Sequence, residues 1–154
     1  MKTSRDGIEF IKRREGFRHK KYKDDAGLPT IGYGHLIQKG ENFTMPITEV
    51  EGEALLTKDL QVAEKAIDRM VKIPLSQSQF DALVSFVFNV GVGHFAKSTL
   101  LKKLNSGDFV AAGGQFLVWN KVTDPKTRKK VFSQGLANRR KLEQAIFTRG
   151  IYGT

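Results

Sequence analysis

Strand signals in this chain are confined to residues 17–37, and everything after Thr48 reads as helix. A sequence that segregates its strands in this way cannot build a parallel α/β sheet, which needs strands and helices in alternation. It points to an α+β fold, mainly α. The expected arrangement is a small N-terminal lobe with a short antiparallel sheet (about 1–48), a long connecting helix (about 49–72) and a helical C-terminal lobe (about 75–154). At 154 residues all of this fits one domain, 1–154. The cleft between two such lobes is the natural place for a ligand.

Local signals mark the elements. Thr3 followed by Asp6 is a loose N-cap, and Ile8, Ile11 and Glu15 then fall at i, i+3 and i+7, with Gly16 as a helix stop. The stretch Asp24-Asp25-Ala26-Gly27 is a turn, and Thr30-Ile31-Gly32-Tyr33-Gly34-His35 alternates with period two as a strand. Thr48 with Glu51 forms a capping box that opens the long helix, and Pro74 closes it. Ser76 with Gln79 caps the next helix, in which Phe80, Leu83, Val84, Val87 and Phe88 predict burial on most sides. Further helical patterns cover 98–104, 109–119 and 137–147, and residues 121–130 read as a Lys-, Asp- and Pro-rich loop.

Composition excludes several classes. Phe alone contributes 11 residues, too much apolar bulk for a disordered chain. No apolar run approaches the roughly 18 residues of a membrane span. The start Met1-Lys2-Thr3-Ser4-Arg5-Asp6 is charged rather than signal-like, so the protein is expected in the cytoplasm of the cell that makes it. The chain has no Cys, which excludes disulfides and thiolate metal sites. His19 and His94 have no partners at metal-ligand spacing, so neither a metal nor a cofactor is expected. The net charge of +10 is uneven: residues 120–154 hold nine Lys/Arg against two Asp/Glu. A second basic cluster (Lys12, Arg13, Arg14, Arg18, Lys20, Lys21 and Lys23) surrounds Glu15. Such fields attract polyanions, whether nucleic acid, anionic lipid or acidic wall polymer.

Glu15 shares a helix face with Ile8 and Ile11, so its carboxyl starts from an apolar surface at the helix C-terminus. Desolvation and the negative end of the helix dipole both favour a retained proton, as a general acid requires. By itself Glu15 still reads as a surface glutamate on a basic helix. Nine residues on comes Asp24 in the turn, and six further comes Thr30 at the start of the strand. Gly32 and Gly34 beside Thr30 leave bare backbone for close approach of an extended ligand, or simply for tight packing.

Glu15-Gly16-Phe17-Arg18, Tyr22-Lys23-Asp24, Gly27 and Thr30-Ile31-Gly32-Tyr33-Gly34-His35 together resemble, without gaps, the start of the phage-type lysozymes, glycoside hydrolase family 24. Looser similarity continues through Phe86-Val87-Phe88-Asn89-Val90-Gly91, Ser98-Thr99-Leu100-Leu101, Trp119 and Asn138-Arg139-Arg140. The resemblance implies a phage endolysin that lyses its host. Its reaction would be hydrolysis of the β-1,4 bond between N-acetylmuramic acid and N-acetylglucosamine in bacterial peptidoglycan. Glu15 would be the acid, with Asp24, helped by Thr30, activating water from the other face and inverting the anomeric centre. Spacing prefers Asp24 to Asp25. The same carry-over gives Leu36, Phe88 and Thr99 to the saccharide cleft and Arg139 to an ion pair with Glu15. His35 reads as a buried structural histidine bonded to one neighbour.

The resemblance further implies a monomer that binds peptidoglycan and no specific nucleic acid, with the basic C-terminal region facing anionic envelope. Its release to the wall would depend on a holin-type protein opening the inner membrane. Two other classes are carried beside it. A lytic transglycosylase needs one Glu and no water-activating Asp, which Asp24 with Thr30 argues against. A nucleic-acid binder needs exposed aromatics among its charges, whereas Phe80, Phe86, Phe88 and Trp119 sit in apolar patterns.

Overall fold

A computed structural model describes residues 1–153; Thr154, the end of the expected domain, lies outside them. Helix α1 (Arg5–Glu15) begins at Ser4, whose hydroxyl accepts the Gly7 amide, and stops at Gly16 with φ 72°. The capping residue is therefore Ser4 rather than Thr3. Three strands follow, β1 (Arg18–Lys23), β2 (Pro29–Gly32) and β3 (His35–Leu36), in one antiparallel sheet of that order. The sequence predicted a single alternating strand over 30–35. Instead the chain reverses inside it: Gly32 (φ 68°) and Gly34 (φ 75°) take a conformation that side chains resist, and Ile31 pairs back onto His35.

Helix α2 (Glu49–Met70) opens on the capping box of Thr48 and Glu51 and ends ahead of Pro74, at a C-cap on Val71. Its inward residues Leu56, Leu60, Ala63 and Ile67 are buried, and along its length it packs on both β2 and the next helix. Helix α3 (Gln77–Val90) is capped by Ser76 and Gln79 and ends at Gly91. Helices α4 (Val92–Ala96), α5 (Thr99–Asn105) and α6 (Phe109–Phe116) follow, and α7 (Gln134–Arg149) closes the fold. Among the described residues no helix is long and apolar enough to cross a membrane.

Between α6 and α7 the structure departs from the sequence reading. Strands β4 (Lys121–Thr123) and β5 (Lys130–Phe132) form a second antiparallel hairpin where a loop was expected. All of its strand residues are exposed. With no buried face it carries no alternation of apolar and polar residues, which is the signal that would have revealed it.

Helix α3 is the axis of the core. Every residue from Phe80 to Val87 is buried, because α1, α2, α4 and α7 pack around it. The ring of Phe86 meets Phe95, Phe116 and Trp119 edge-on, with centroids 5.3–6.4 Å apart, a favourable aromatic geometry. At the other end of the helix buried Asp81 accepts hydrogen bonds from Ser4, Gln77 and the Tyr152 hydroxyl, tying both chain termini to α3. Phe86→Ala is expected to cost about 3–5 kcal/mol of unfolding free energy, read from urea denaturation, because the ring has no room for its neighbours to collapse into.

Candidate active site

Glu15 is the last residue of α1, and two elements distant in sequence converge on its carboxyl. From α7, Arg139 Nη1 donates to Oε2 at 2.7 Å. From the β2–β3 turn comes the bare backbone of Gly34: a Cβ there would lie 2.8 Å from Oε1. The glycine thus allows close packing against a carboxylate. The Glu15 side chain is 19% exposed. Its immediate neighbours include a cation from the far end of the chain, where the helix pattern had suggested an apolar setting governed by Ile8 and Ile11.

Arg139 is itself held. Its Nε donates to Glu143 Oε2 at 3.1 Å and its Nη2 to the Ser85 carbonyl at 3.2 Å. Glu143 also pairs with Arg140 (2.8 Å) and accepts from the Ser85 hydroxyl. Arg140 in turn donates to Asn89 at 2.8 Å and stacks over Phe86. Glu143 and Arg140 are completely shielded from solvent. Burial works against the Arg139 charge, but Glu143 and Glu15 outweigh it and keep its pKa above the ordinary arginine value. For Arg140 burial wins and the pKa falls below that value. Sequence reasoning missed Glu143, Ser85 and Asn89. The i, i+3 and i+4 spacing of Arg140, Arg139 and Glu143 was the available hint, but it also fits an exposed helix face.

Asp24 heads the turn between β1 and β2. Its Oδ1 accepts the backbone amides of Ala26 and Leu28, both at 2.9 Å, and its own amide donates to the Leu28 carbonyl at 2.9 Å. The Thr30 hydroxyl donates to that same carbonyl at 2.9 Å. Thr30 is buried, and its hydroxyl braces the turn that holds Asp24.

Glu15 and Asp24 border one open groove of about 360 Å³, together with Gly34, Leu36, Gln38, Asp59, Phe88 and Asn89. Leu36 and Phe88 are thus part of the same lining as the two carboxylates. Thr99 is exposed at the first turn of α5, outside that lining. Asp25 is exposed and borders two other depressions beside Val122 and Leu136.

His35 is buried as expected but has two partners rather than one. Its Nδ1 lies 2.8 Å from Asp59 on α2, and its Nε2 lies 2.9 Å from Glu41. Glu41 Oε1 also accepts the Gln38 amide at 2.7 Å. Burial lowers the imidazole pKa, but the hydrogen bonds and charges of Asp59 and Glu41 prevail and raise it above 6.5. Both Asp59 and Gln38 line the groove, so the imidazole organises one of its walls.

The family described as phage lysozyme matches residues 12–143, most of the chain. The chain belongs to the phage lysozyme family. Among relatives of this lysozyme, the endolysin of Salmonella phage P22 is 42% identical over 151 residues, covering 96% of this chain and 98% of that one. The solved endolysin from Escherichia coli O157:H7 phage FAHEc1 superposes with a TM-score of 0.93 at 38% identity, covering 100% of this chain and 98% of that one. The muramidase domain of SpmX from Asticaccaulis excentricus superposes with a TM-score of 0.86 at 34% identity, covering 96% and 97%. The lysozyme is thus a glycosidase of the mainly helical α+β class expected from its sequence.

Gly34→Ala should cost about 1–3 kcal/mol in stability because of its positive φ. The new methyl displaces the Glu15 carboxyl, so lysozyme activity should fall about 100-fold; turbidity loss of purified wall measures it. For His35 the raised pKa sets the sign of a pH effect. The stability it contributes is complete below the unfolded value of 6.5 and is lost as pH rises through the higher folded value. Chemical denaturation from pH 6 upward (about where free His titrates) should show that loss in the wild type and a flatter profile in His35→Asn.

Proposed function

We propose that this lysozyme hydrolyses the β-1,4 bond between N-acetylmuramic acid and N-acetylglucosamine in peptidoglycan by single displacement, inverting the anomeric centre, and acts as an endolysin. The observation that carries the reading is that Glu15 and Asp24, from a helix end and a sheet turn, border one groove. Glu15 Oε2 is engaged by Arg139, which leaves Oε1, beside Gly34, to carry the proton to the leaving oxygen. Asp24 Oδ1 is engaged by two amides, and among the described residues Oδ2 has no partner, so it is the oxygen available to a water. Inversion needs the carboxyls roughly 6.5–9.5 Å apart so that this water fits between Asp24 and the sugar.

On this reading Leu36 and Phe88 contact the saccharide, and Thr30 acts through Leu28 on Asp24. Arg139 fixes the rotamer of the general acid. The enzyme works as a monomer, and the basic C-terminal region turns toward anionic envelope. Delivery from the host cytoplasm to the wall through a membrane opened by a second phage protein belongs to the same proposal.

Glu15→Gln is close to isosteric and should abolish wall hydrolysis while the unfolding midpoint stays near wild type. Asp24→Asn should lose far more activity than Asp25→Asn. NMR of the first-formed reducing end reports the anomer: the α product supports inversion, whereas a β product or an anhydro-muramic end overturns the mechanism. Near-normal turnover in Glu15→Gln removes that residue from the acid role.

A further inference from the structure

The hairpin of β4 and β5 is idle in the mechanism, and its surface is unusual for a solvated loop. Between Lys121 and Phe132 it carries five cations (Lys121, Lys126, Arg128, Lys129 and Lys130) against the one acid Asp124. All five cations are exposed. Asp124 is half-buried, and its carboxylate is turned inward onto the amides of Lys126 and Thr127, where it holds the tip. Charge alone would suit any polyanion. Interleaved with it, however, are apolar side chains left open to water: Phe132 is 59% exposed, Val122 and Val131 about 40% each. Val122 and Val131 are paired across the strands on one face of the ribbon, and Phe132 is paired with Lys121 on the other, next to the Thr123–Lys130 pair, so the face of Phe132 presents both kinds of group. Just before it, Val118 is 61% exposed and Leu117 is also open.

We propose that this hairpin is a docking element for an anionic lipid surface. Cations beside exposed Phe and Val suit the boundary between headgroups and acyl chains, where phosphates neutralise the lysines and the apolar side chains leave water. A soluble polyanion would engage the cations and leave Phe132 and Val131 wet. The depression behind the hairpin, lined by Lys121, Lys130 and Trp119, also includes Asn89, a residue of the catalytic groove. A docked hairpin therefore holds that groove close to the membrane. The inference rests on the envelope contact proposed above and names its element and its partner, and its test reads lipid affinity separately from wall hydrolysis.

Each Lys or Arg near an anionic bilayer strengthens binding about fivefold. Full-length protein should sediment with vesicles of phosphatidylglycerol and phosphatidylcholine, and not with phosphatidylcholine alone. The triple variant Lys126→Ala, Arg128→Ala, Lys129→Ala should bind the anionic vesicles about 100-fold more weakly. Phe132→Ser should weaken the binding that survives at high salt, where charge is screened. All variants should hydrolyse purified wall at the wild-type rate, which shows that they fold and separates this test from that of the active site. Unchanged vesicle binding in the triple variant overturns the proposal. So does an unaltered Phe132→Ser variant in a wild type that binds DNA as tightly as vesicles, since the hairpin would then be a polyanion site.

Discussion

The buried contact among Arg139, Arg140 and Glu143 governs the geometry of this molecule. Removing three charges from water is costly, and the cost is met only because every charge has a partner within about 3 Å, the Ser85 hydroxyl donates to Glu143 and Asn89 accepts from Arg140. Exchanging such a network for apolar residues is often neutral for stability. Its consequence here is location. Arg139 can reach Glu15 in one direction only, because Glu143 and the Ser85 carbonyl hold the rest of its guanidinium. The end of α1 is thereby tied to α7 across the face of α3, and the Glu15 carboxyl is held at the border of the groove.

The opposite wall is built by different means. Asp24 is placed by a turn that folds on itself: Leu28 supplies its amide to the carboxylate and its carbonyl to both Asp24 and Thr30. The two carboxylates therefore have independent supports, one a buried ion network among helices and the other a local loop of backbone hydrogen bonds. Gly34 joins the two systems, since the sheet can close against Glu15 only where no side chain intervenes. His35, one residue on, then fastens β3 to α2 through Asp59 and to the following loop through Glu41. Packing, rather than any single bond, makes these elements one rim.

Much of this was legible in advance. The capping boxes at Thr48 and Ser76 set where α2 and α3 begin, because a cap is a local contest between side chain and backbone that four residues decide. The apolar all-round pattern of α3 announced a helix buried on most sides. The spacing from Glu15 through Asp24 to Thr30 was readable as a motif, although the hydrogen bond of the Thr30 hydroxyl to the Leu28 carbonyl was not. The β4–β5 hairpin was not readable, since strands without a buried face have no period to detect. Nor was the reversal at Gly32 and Gly34, because alternation looks the same along one strand as along a hairpin.

The amino-acid order by itself determined most element types, most helix starts and the fold class, all of which rest on contacts a few residues apart. It also determined, through resemblance, which carboxylates to watch. Only the tertiary structure decided that Arg139 on α7 pairs with Glu15, that Glu143 is buried rather than solvated, and that Asp24 and not Asp25 meets the groove. Those choices turn on which side chains lose water when segments more than a hundred residues apart are brought together. Desolvation of that kind depends on the assembled neighbours and leaves no trace in local spacing.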